Sequence, residues 1–241
     1  MLLRNALLTD GTTNDVRVGL DTIESIAPRL EPIDAEETVD LSGRLLLPAP
    51  AEPHAHLDKA FLAERIENPT GDLIGAVEAM AANRDTLTVA DIAERAERAV
   101  RVLVANGITA IRTHADTTLD HGLRSVEALV GVRDALADLC HIEVVALTGW
   151  SIEPSDVPRS LALLRDAIQL GVDVVGGCPH LDRTIGIEAS TDNFLEIAGE
   201  AGLPIDLHTD ETLNPEANGL STWPDGSSPP ASNLRRRPAI A

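Results

Sequence analysis

Tyrosine is absent from this 241-residue chain, and aromatic residues make up only 2% of it. The interior must therefore be built from Leu, Ile, Val and Ala, with very few large rings to fill it. No apolar run approaches the ~18 residues that suggest a membrane span. The amino terminus also lacks the apolar stretch of a signal peptide. With 44% hydrophobic and 24% charged residues, the composition predicts a water-soluble globular protein.

Positive charge is scarce as well, since 19 Lys and Arg face 39 Asp and Glu and the formal net charge is −20. Nucleic acid and anionic membranes both require a basic surface, so the charge balance argues against either as a partner. We expect a small-molecule partner, and assembly into a homo-oligomer stays open. Cys140 and Cys178 lie far apart and show no C-x-x-C spacing. Two such cysteines are typical of reduced, buried thiols in a cytoplasmic protein.

Short apolar runs separated by turn formers predict a small β lobe at residues 1–47. Its strands are expected at residues 2–8, 16–20, 22–26, 39–41 and 45–47. From residue 45 onward, apolar strands alternate with amphipathic helices. Strands are expected at 45–48, 108–113, 142–148, 172–176 and 205–208, and helices at 73–83, 89–105, 123–139, 157–170 and 192–201.

Start and stop signals support these helices, because Thr88 with Asp91 resembles a capping box and Gly107 and Gly171 stand where helices end. Alternating strands and helices imply a parallel sheet. Five such units fit either an open doubly wound sheet or most of a (β/α)₈ barrel. No glycine-rich nucleotide motif follows the first strand. Residues 221–241 lack periodicity and are rich in Pro and Ser, which indicates a disordered tail or a shifted reading frame.

Two histidines, His54 and His56, follow the first strand of the alternating region. Residues two apart in a strand point to the same side, so both imidazoles can reach one metal ion. Neutral imidazole suits Zn²⁺ and Fe²⁺, and barrel sites are built at the carboxyl ends of strands. A pair of surface histidines without a metal is the plainer alternative.

A third histidine, His208, ends the fifth strand and can join the first two, because parallel strands end at one edge. Glu211 follows on the next loop, where it could carry protons between an activated water and a substrate nitrogen. A solvated loop carboxylate is the alternative for this residue.

Other candidates end the remaining strands. His114 ends the second, and we favour a role in holding substrate or supporting the ligands over direct ligation. Trp150 follows the third, where it could stack on a flat heterocycle or cover the core, and His180 follows the fourth. Lys59 is the only lysine and lies on a loop, so no lysine on the fourth strand can bridge two metals. A single metal ion is therefore favoured.

Four segments in order carry a resemblance to a known family, namely EPHAHLDK at 52–59, IRTHAD at 111–116, VVGGCPH at 174–180 and DLHTDE at 206–211. Together they resemble the amidohydrolase superfamily. Their order is similar to its cytosine deaminase branch, which also includes enzymes acting on triazine-type rings. The similarity runs from about residue 2 to about residue 220.

The resemblance implies a (β/α)₈ barrel with a small β-sandwich lobe and a single Fe or Zn ion. His54, His56 and His208 match the family's metal ligands, and Glu211 matches the acid/base glutamate of its H-x-D-E motif. The implied reaction is hydrolytic deamination, or related C–N hydrolysis, of a cyclic amidine or N-heterocycle by metal-activated water.

The sequence departs from the family in two respects. Gly149 stands where cytosine deaminases carry a glutamine that reads the pyrimidine, so a ring other than cytosine is expected. The family's histidine after strand six and aspartate after strand eight have no counterpart. The expected domains are thus the β lobe at 1–47, a partial barrel at 48–220 and the tail at 221–241. The competing hypothesis is an inactive truncated fragment of low stability, because five strands leave bare edges and apolar interior in water.

Overall fold

The computed structural model describes residues 1–20, 22–211, 213–215 and 219–222. These residues form two compact units, one made by residues 1–49 and the other beginning at Pro50. Most of the tail expected at 221–241 lies outside the described residues. No helix in the described part of the chain is long and apolar enough to cross a lipid bilayer.

The first unit is a four-stranded sheet with strand order β3-β2-β1-β4. Its strands are β1 (Leu2–Leu7), β2 (Thr13–Val18), β3 (Ile23–Ala27) and β4 (Thr38–Asp40). β2 pairs antiparallel with β1 and β3, whereas β4 joins β1 in parallel. Four of the five strands expected in this region are present. At the fifth, Leu45 makes only an isolated bridge with Leu7.

The second unit is a five-stranded parallel sheet with strand order β5-β6-β7-β8-β9. Its strands are β5 (Ala51–Ala55), β6 (Ala110–Thr117), β7 (His141–Thr148), β8 (Val174–Gly177) and β9 (Ile205–Leu207). The helices are α1 (Leu73–Ala82), α2 (Val89–Ala105), α3 (Arg124–Ala135), α4 (Val157–Gln169) and α5 (Ile187–Ala201). Each strand pairs with the next one along the chain. A doubly wound sheet would reverse its strand order, so the barrel-type topology is confirmed.

Side-chain contacts across the sheet demonstrate its curvature. β5 and β9 are four strands apart, which is roughly 19 Å in a flat sheet at about 4.8 Å per strand. The rings of His54 and His208 nevertheless have centroids only 4.9 Å apart. Arg112 on β6 likewise reaches Asp206 on β9 at 3.1 Å. The sheet is therefore curled like half of a closed barrel, with these side chains on its concave face.

The first strand of this sheet lies later than the sequence predicts. The apolar run at 45–48 suggested a strand there, but the strand is β5, at Ala51–Ala55. β5 pairs only with β6 among the described strands, and most of its residues are exposed or half-buried. It contains Pro53, which an edge strand tolerates because the missing N–H breaks no ladder bond there. A polar edge strand gives no apolar signal in the sequence. The apolar run at 45–48, just before it, does give one and so was predicted as the strand.

Most helix bounds agree with the expected ones. Thr88 accepts a hydrogen bond from the backbone N–H of Asp91 at 3.2 Å and so caps α2 as predicted. Gly107 and Gly171 adopt the left-handed φ values of +88° and +92° that glycine tolerates best. α5 begins five residues before the expected position 192. Its first turns bury polar residues such as Thr191, and these break the apolar periodicity.

The main core lies between the convex face of the sheet and its helices. It includes Ile111, Ala115, Val144, Ala146, Val175, Val100, Leu129, Leu164 and Phe194. Because side chains alternate along a strand, Arg112, His114 and Asp116 of β6 share the opposite, concave face. Both cysteines are free and buried, as predicted. The sequence of β6 therefore separates an apolar face that packs on helices from a polar face that carries chemistry.

A glycine on β8 allows α5 to pack closely on the sheet. Gly177 is fully buried, and a Cβ at this position would collide with the ring of Phe194. We expect Gly177→Ala to lower the free energy of unfolding by about 1–3 kcal/mol, because a tightly packed core does not accept an added methyl group. Denaturant unfolding measures the change. Gly199→Ala on α5 is the control, since a Cβ there meets nothing within 4 Å. Equal losses in the two variants would contradict the packing argument.

Candidate metal centre

Four histidines converge at the carboxyl ends of three strands of the parallel sheet. His54 lies in β5, His56 follows it, His114 lies in β6, and His208 directly follows β9. All six pairs of rings have centroids between 4.3 and 5.4 Å apart. The concave face of the curled sheet thus collects four imidazoles that the sequence separates widely.

Local backbone irregularity directs the first two imidazoles. The register between β5 and β6 shifts between Glu52 and Ala55, as at a β-bulge, which re-aims side chains. His56 lies just past the strand and precedes a short 3₁₀ turn at Leu57–Lys59. The N–H of Leu57 donates to Thr113 Oγ1 at 3.0 Å, which fixes this turn against β6. Strand alternation alone therefore does not set the aim of His54 and His56.

Three of the histidines already have their ligand atoms close together. One ring nitrogen from each of His54, His56 and His114 lies within 4.8 Å of the others. Zn–N bonds of about 2.0–2.1 Å require nitrogens about 3.3 Å apart in a tetrahedral site. Small side-chain rotations would suffice to close that gap. His208 was the third ligand expected from the sequence, and its ring lies 4.8 to 5.4 Å from the other three.

Several ring nitrogens in the cluster are buried without a hydrogen-bond partner among the described residues. These are both nitrogens of His208 and Nε2 of His114. Burying such a group unpaired costs about 1–3 kcal/mol, so the arrangement favours a ligand that uses the lone pairs. Convergent imidazoles are the donors that borderline divalent metals prefer. The cluster therefore supports a divalent metal ion.

His114 and His208 differ in their surroundings. His114 Nδ1 lies 3.3 Å from the carbonyl oxygen of Ala55, and its Nε2 lies 3.6 Å from Asp206 Oδ1. Both neighbours are acceptors, so the single N–H of the neutral ring can point toward one of them, depending on the tautomer. Neither nitrogen of His208 has a hydrogen-bond partner within the part of the chain that the structure describes. His208 is thus the more available metal ligand, whereas the ring of His114 lies close to two acceptor oxygens.

Burial keeps two of the ligand candidates, His56 and His208, uncharged at neutral pH. Desolvation, followed by the charge of Lys59, lowers the pKa of His56 to about 3. Desolvation, followed by His114 and His54, lowers the pKa of His208 to about 4. An imidazole that is neutral at pH 7 retains the lone pair that a metal needs.

The only lysine of the chain lies beside the cluster. Lys59 Nζ is 2.7 Å from Asp116 Oδ1, 3.2 Å from Asp58 Oδ1 and 3.3 Å from His56 Nδ1. Although burial opposes it, the charges of Asp116 and Asp58 raise the pKa of Lys59 above its usual value. An ammonium held by two carboxylates is not the neutral amine from which a metal-bridging carbamate forms. Lys59 is therefore not placed to bridge two metals through such a carbamate.

A second charged group occupies the same concave face. Arg112 donates to Glu143 Oε2 at 2.8 Å and to Asp206 Oδ2 at 3.1 Å. The pKa of Asp206 is lowered to about 2, first by His114 and then by Arg112. Sequence reasoning missed this group. The available signal was a charged residue within each of three strands of the sheet, Arg112 in β6, Glu143 in β7 and Asp206 in β9.

The remaining predicted site residues lie at the same end of the sheet. Glu211 is exposed on the loop after β9, and Trp150 follows β7 with 41% of its surface exposed. His180 follows β8, and its Nδ1 lies 3.0 Å from the carbonyl oxygen of His208. His180 Nε2 is buried without a partner in the described part of the chain. A Cβ at Gly149 would lie 2.8 Å from Thr118 Cγ2, so a side chain at this position would require Thr118 to shift.

Comparison with known proteins agrees with this geometry, although no protein-family model matches the chain. The chain is 32% identical over 178 residues to a pterin deaminase of Rhizobium rhizogenes, covering 73% of this chain and 40% of the relative. It is 28% identical over 218 residues to an N-isopropylammelide isopropyl amidohydrolase of a Pseudomonas strain, covering 86% and 52%. A 5-methylcytosine deaminase structure from Klebsiella pneumoniae matches with a TM-score of 0.82 at 28% identity, covering 92% and 54%.

The chain thus spans about half the length of the relatives it matches. Within that span the strand order agrees with what the sequence resemblance implied, and a histidine cluster that could hold a divalent metal is present. Sequence relatives, fold and cluster agree: the proteins that this chain resembles, over about half of their length, are deaminases and related hydrolases of the amidohydrolase superfamily.

Proposed function

We propose that the protein is a metal-dependent hydrolase that removes an amine from a small N-heterocycle or cyclic amidine. The observation that carries this proposal is the convergence of four imidazoles at one end of the sheet. The relatives support the substrate class, because their names refer to a pterin, a methylated cytosine and an alkylated ammelide. All three are flat nitrogen rings.

One Fe or Zn ion is held by His54, His56 and His208 in this proposal. When bound, such an ion lowers the pKa of a water molecule toward about 7 and so supplies a nucleophile at neutral pH. His114 supports the site from the buried side, where its Nδ1 lies 3.3 Å from the carbonyl oxygen of Ala55 and its Nε2 lies 3.6 Å from Asp206 Oδ1. The free, buried state of Cys140 and Cys178 supports a reducing, cytoplasmic location.

Glu211 carries the protons of the reaction. Its carboxylate takes a proton from the attacking water and delivers it to a ring nitrogen as the C–O bond forms. A second proton from the same water then reaches the leaving amine as the C–N bond breaks. Water and the amino-substituted ring thus become the ring carbonyl and free ammonia or alkylamine, with no other reactant.

Trp150 and His180 select the substrate. The partly exposed indole of Trp150 offers a flat face for stacking on a heterocycle. If His180 Nδ1 carries the proton that faces the carbonyl oxygen of His208, its buried Nε2 is left as an acceptor for a substrate N–H. Gly149 stands where cytosine deaminases carry the glutamine that reads the pyrimidine, so rings other than cytosine are favoured.

A panel of amino-substituted rings tests this proposal. The metal-loaded protein would be given pterin, 5-methylcytosine, N-isopropylammelide, creatinine and cytosine, and released ammonia or amine would be measured. We expect release from at least one ring other than cytosine, loss of activity after chelation, and recovery when Zn²⁺ or Fe²⁺ is restored. Fully loaded protein that releases amine from none of them would refute the proposal and favour the non-catalytic alternative.

A further inference from the structure

The residue before Glu211 adopts an unusual backbone conformation. Asp210 has a φ of +56°, in the left-handed region that few residues other than glycine occupy. Asp and Asn tolerate this region better than other side chains. The chain therefore turns sharply between His208 and Glu211, and the turn must be maintained by contacts elsewhere.

The carboxylate of Asp210 supplies those contacts. Its Oδ1 accepts the N–H of Gly219 at 2.5 Å, and its Oδ2 accepts the N–H of Leu220 at 3.0 Å. These bonds fasten the loop after β9 to a short 3₁₀ helix at Gly219–Thr222. Because each oxygen already bonds a backbone amide, Asp210 is poorly placed to act as a metal ligand.

The close packing of Gly219 gives further support for this attachment of the loop to the 3₁₀ helix. The residue is buried, and a Cβ there would lie 2.5 Å from Thr209 Oγ1 and 2.5 Å from Ile187 Cδ1. The same Cβ would lie 2.8 Å from Asp210 Oδ1. Only glycine lets the backbone approach these three side chains this closely. The 3₁₀ segment that begins at Gly219 therefore packs tightly against the turn at Asp210.

The start of the same loop, at His208, is held by a separate backbone hydrogen bond. The N–H of His208 donates to the carbonyl oxygen of Gly177 at 3.0 Å, which continues the pairing of β9 with β8. His208 is therefore positioned by the sheet, whereas the direction of Glu211 depends on the turn at Asp210.

We propose that Asp210 is a positioning residue that fixes the direction of the Glu211 carboxylate without taking part in metal binding. This inference rests on the proposed function of Glu211. The clamp of Asp210 onto Gly219 and Leu220 keeps the left-handed turn in place. Opening it would let Glu211 rotate away from the substrate while the histidine cluster stays intact.

Kinetics of Asp210→Ala, in the ring-substrate assay above, test the catalytic half of the proposal. We expect kcat to fall about 10–100-fold, as for other residues that orient a catalytic group, while KM and Zn²⁺ affinity change by less than about threefold. Asp210→Asn keeps one acceptor oxygen and tolerates the turn, so it should lose less. In an Asp210→Ala/Glu211→Gln double variant, the loss should equal that of Glu211→Gln alone, because both act through one group. A further loss in the double variant, or a fall in Zn²⁺ affinity, would overturn the proposal.

Hydrogen exchange tests the clamp itself and requires no substrate. The amides of Gly219 and Leu220 should exchange slowly in the wild type, and at least about tenfold faster in Asp210→Ala. The amide of His208, bonded to β8, should be unchanged. Unaltered exchange at Gly219 and Leu220 would overturn the clamp whatever the activity. Wild-type protein with slow exchange but no turnover would instead refute the proposed function and leave no catalytic role for Asp210.

Discussion

Replacing His208 with alanine is expected to lower the affinity for Zn²⁺ by more than about a hundredfold, whereas His114→Ala should lower it only about tenfold. The reason is the difference in their surroundings. Both nitrogens of His208 are buried without hydrogen-bond partners among the described residues. His114 differs because its Nδ1 lies 3.3 Å from the carbonyl oxygen of Ala55, and its Nε2, although not hydrogen-bonded, lies 3.6 Å from Asp206 Oδ1. Removing a ligand eliminates a metal bond, but removing a supporting histidine only loosens the others.

Competition with a chromophoric chelator would measure these affinities. His141→Ala is the matched control, because His141 is an exposed histidine at the opposite end of β7. It should leave the affinity within about twofold of the wild type, as expected for a surface substitution. If His114→Ala weakened binding as much as His208→Ala, His114 would be a ligand. The set His54, His56 and His114, whose nitrogens already lie closest, would then replace the proposed one.

Replacing Glu211 with glutamine is expected to lower kcat by about a hundredfold to ten-thousandfold, the usual range for losing a general acid–base group. Glutamine keeps the shape of the side chain but cannot accept and return a proton. Because Glu211 is exposed and lies outside the histidine cluster, the affinity for Zn²⁺ should be almost unchanged. The measurement is steady-state turnover of the best substrate, together with metal affinity on the same sample.

The control for this variant is Glu94→Gln, which removes an exposed carboxylate from α2. It should leave both kcat and metal affinity at wild-type values. Retention of kcat in Glu211→Gln would mean that another group carries the protons. A parallel loss of metal would mean that Glu211 acts as a ligand.

Much of the second unit could be predicted from local pattern. α2 has the bounds that its capping threonine and terminal glycine predict, because both signals are local and strong. The position of β5 could not be predicted, since an exposed edge strand with a proline carries no apolar periodicity. The start of α5 was missed because buried Ser190 and Thr191 occupy positions where apolar residues are expected.

The residues of the candidate site also divide into those with a local sequence signal and those without one. The convergence of His54, His56 and His208 could be predicted because each marks the carboxyl end of a strand, and parallel strands end at one edge. The bonds of Asp206 to Arg112 and of Asp210 to Gly219 were not foreseen. The first depends on the curl of the sheet across three strands, and the second on a left-handed turn at a residue other than glycine. Neither has a signature within a short stretch of sequence.

The central claim is that the histidine cluster holds one divalent metal through imidazole nitrogens. X-ray absorption spectroscopy of the protein equilibrated with one equivalent of Zn²⁺ tests it most directly. The account predicts about three imidazole nitrogens at about 2.0–2.1 Å, with no sulfur and no second metal nearby. The same measurement on the His208→Ala variant should show one imidazole nitrogen fewer around the zinc. A sulfur ligand from Cys178, a zinc–zinc distance, or a spectrum of hydrated zinc alone would contradict the account.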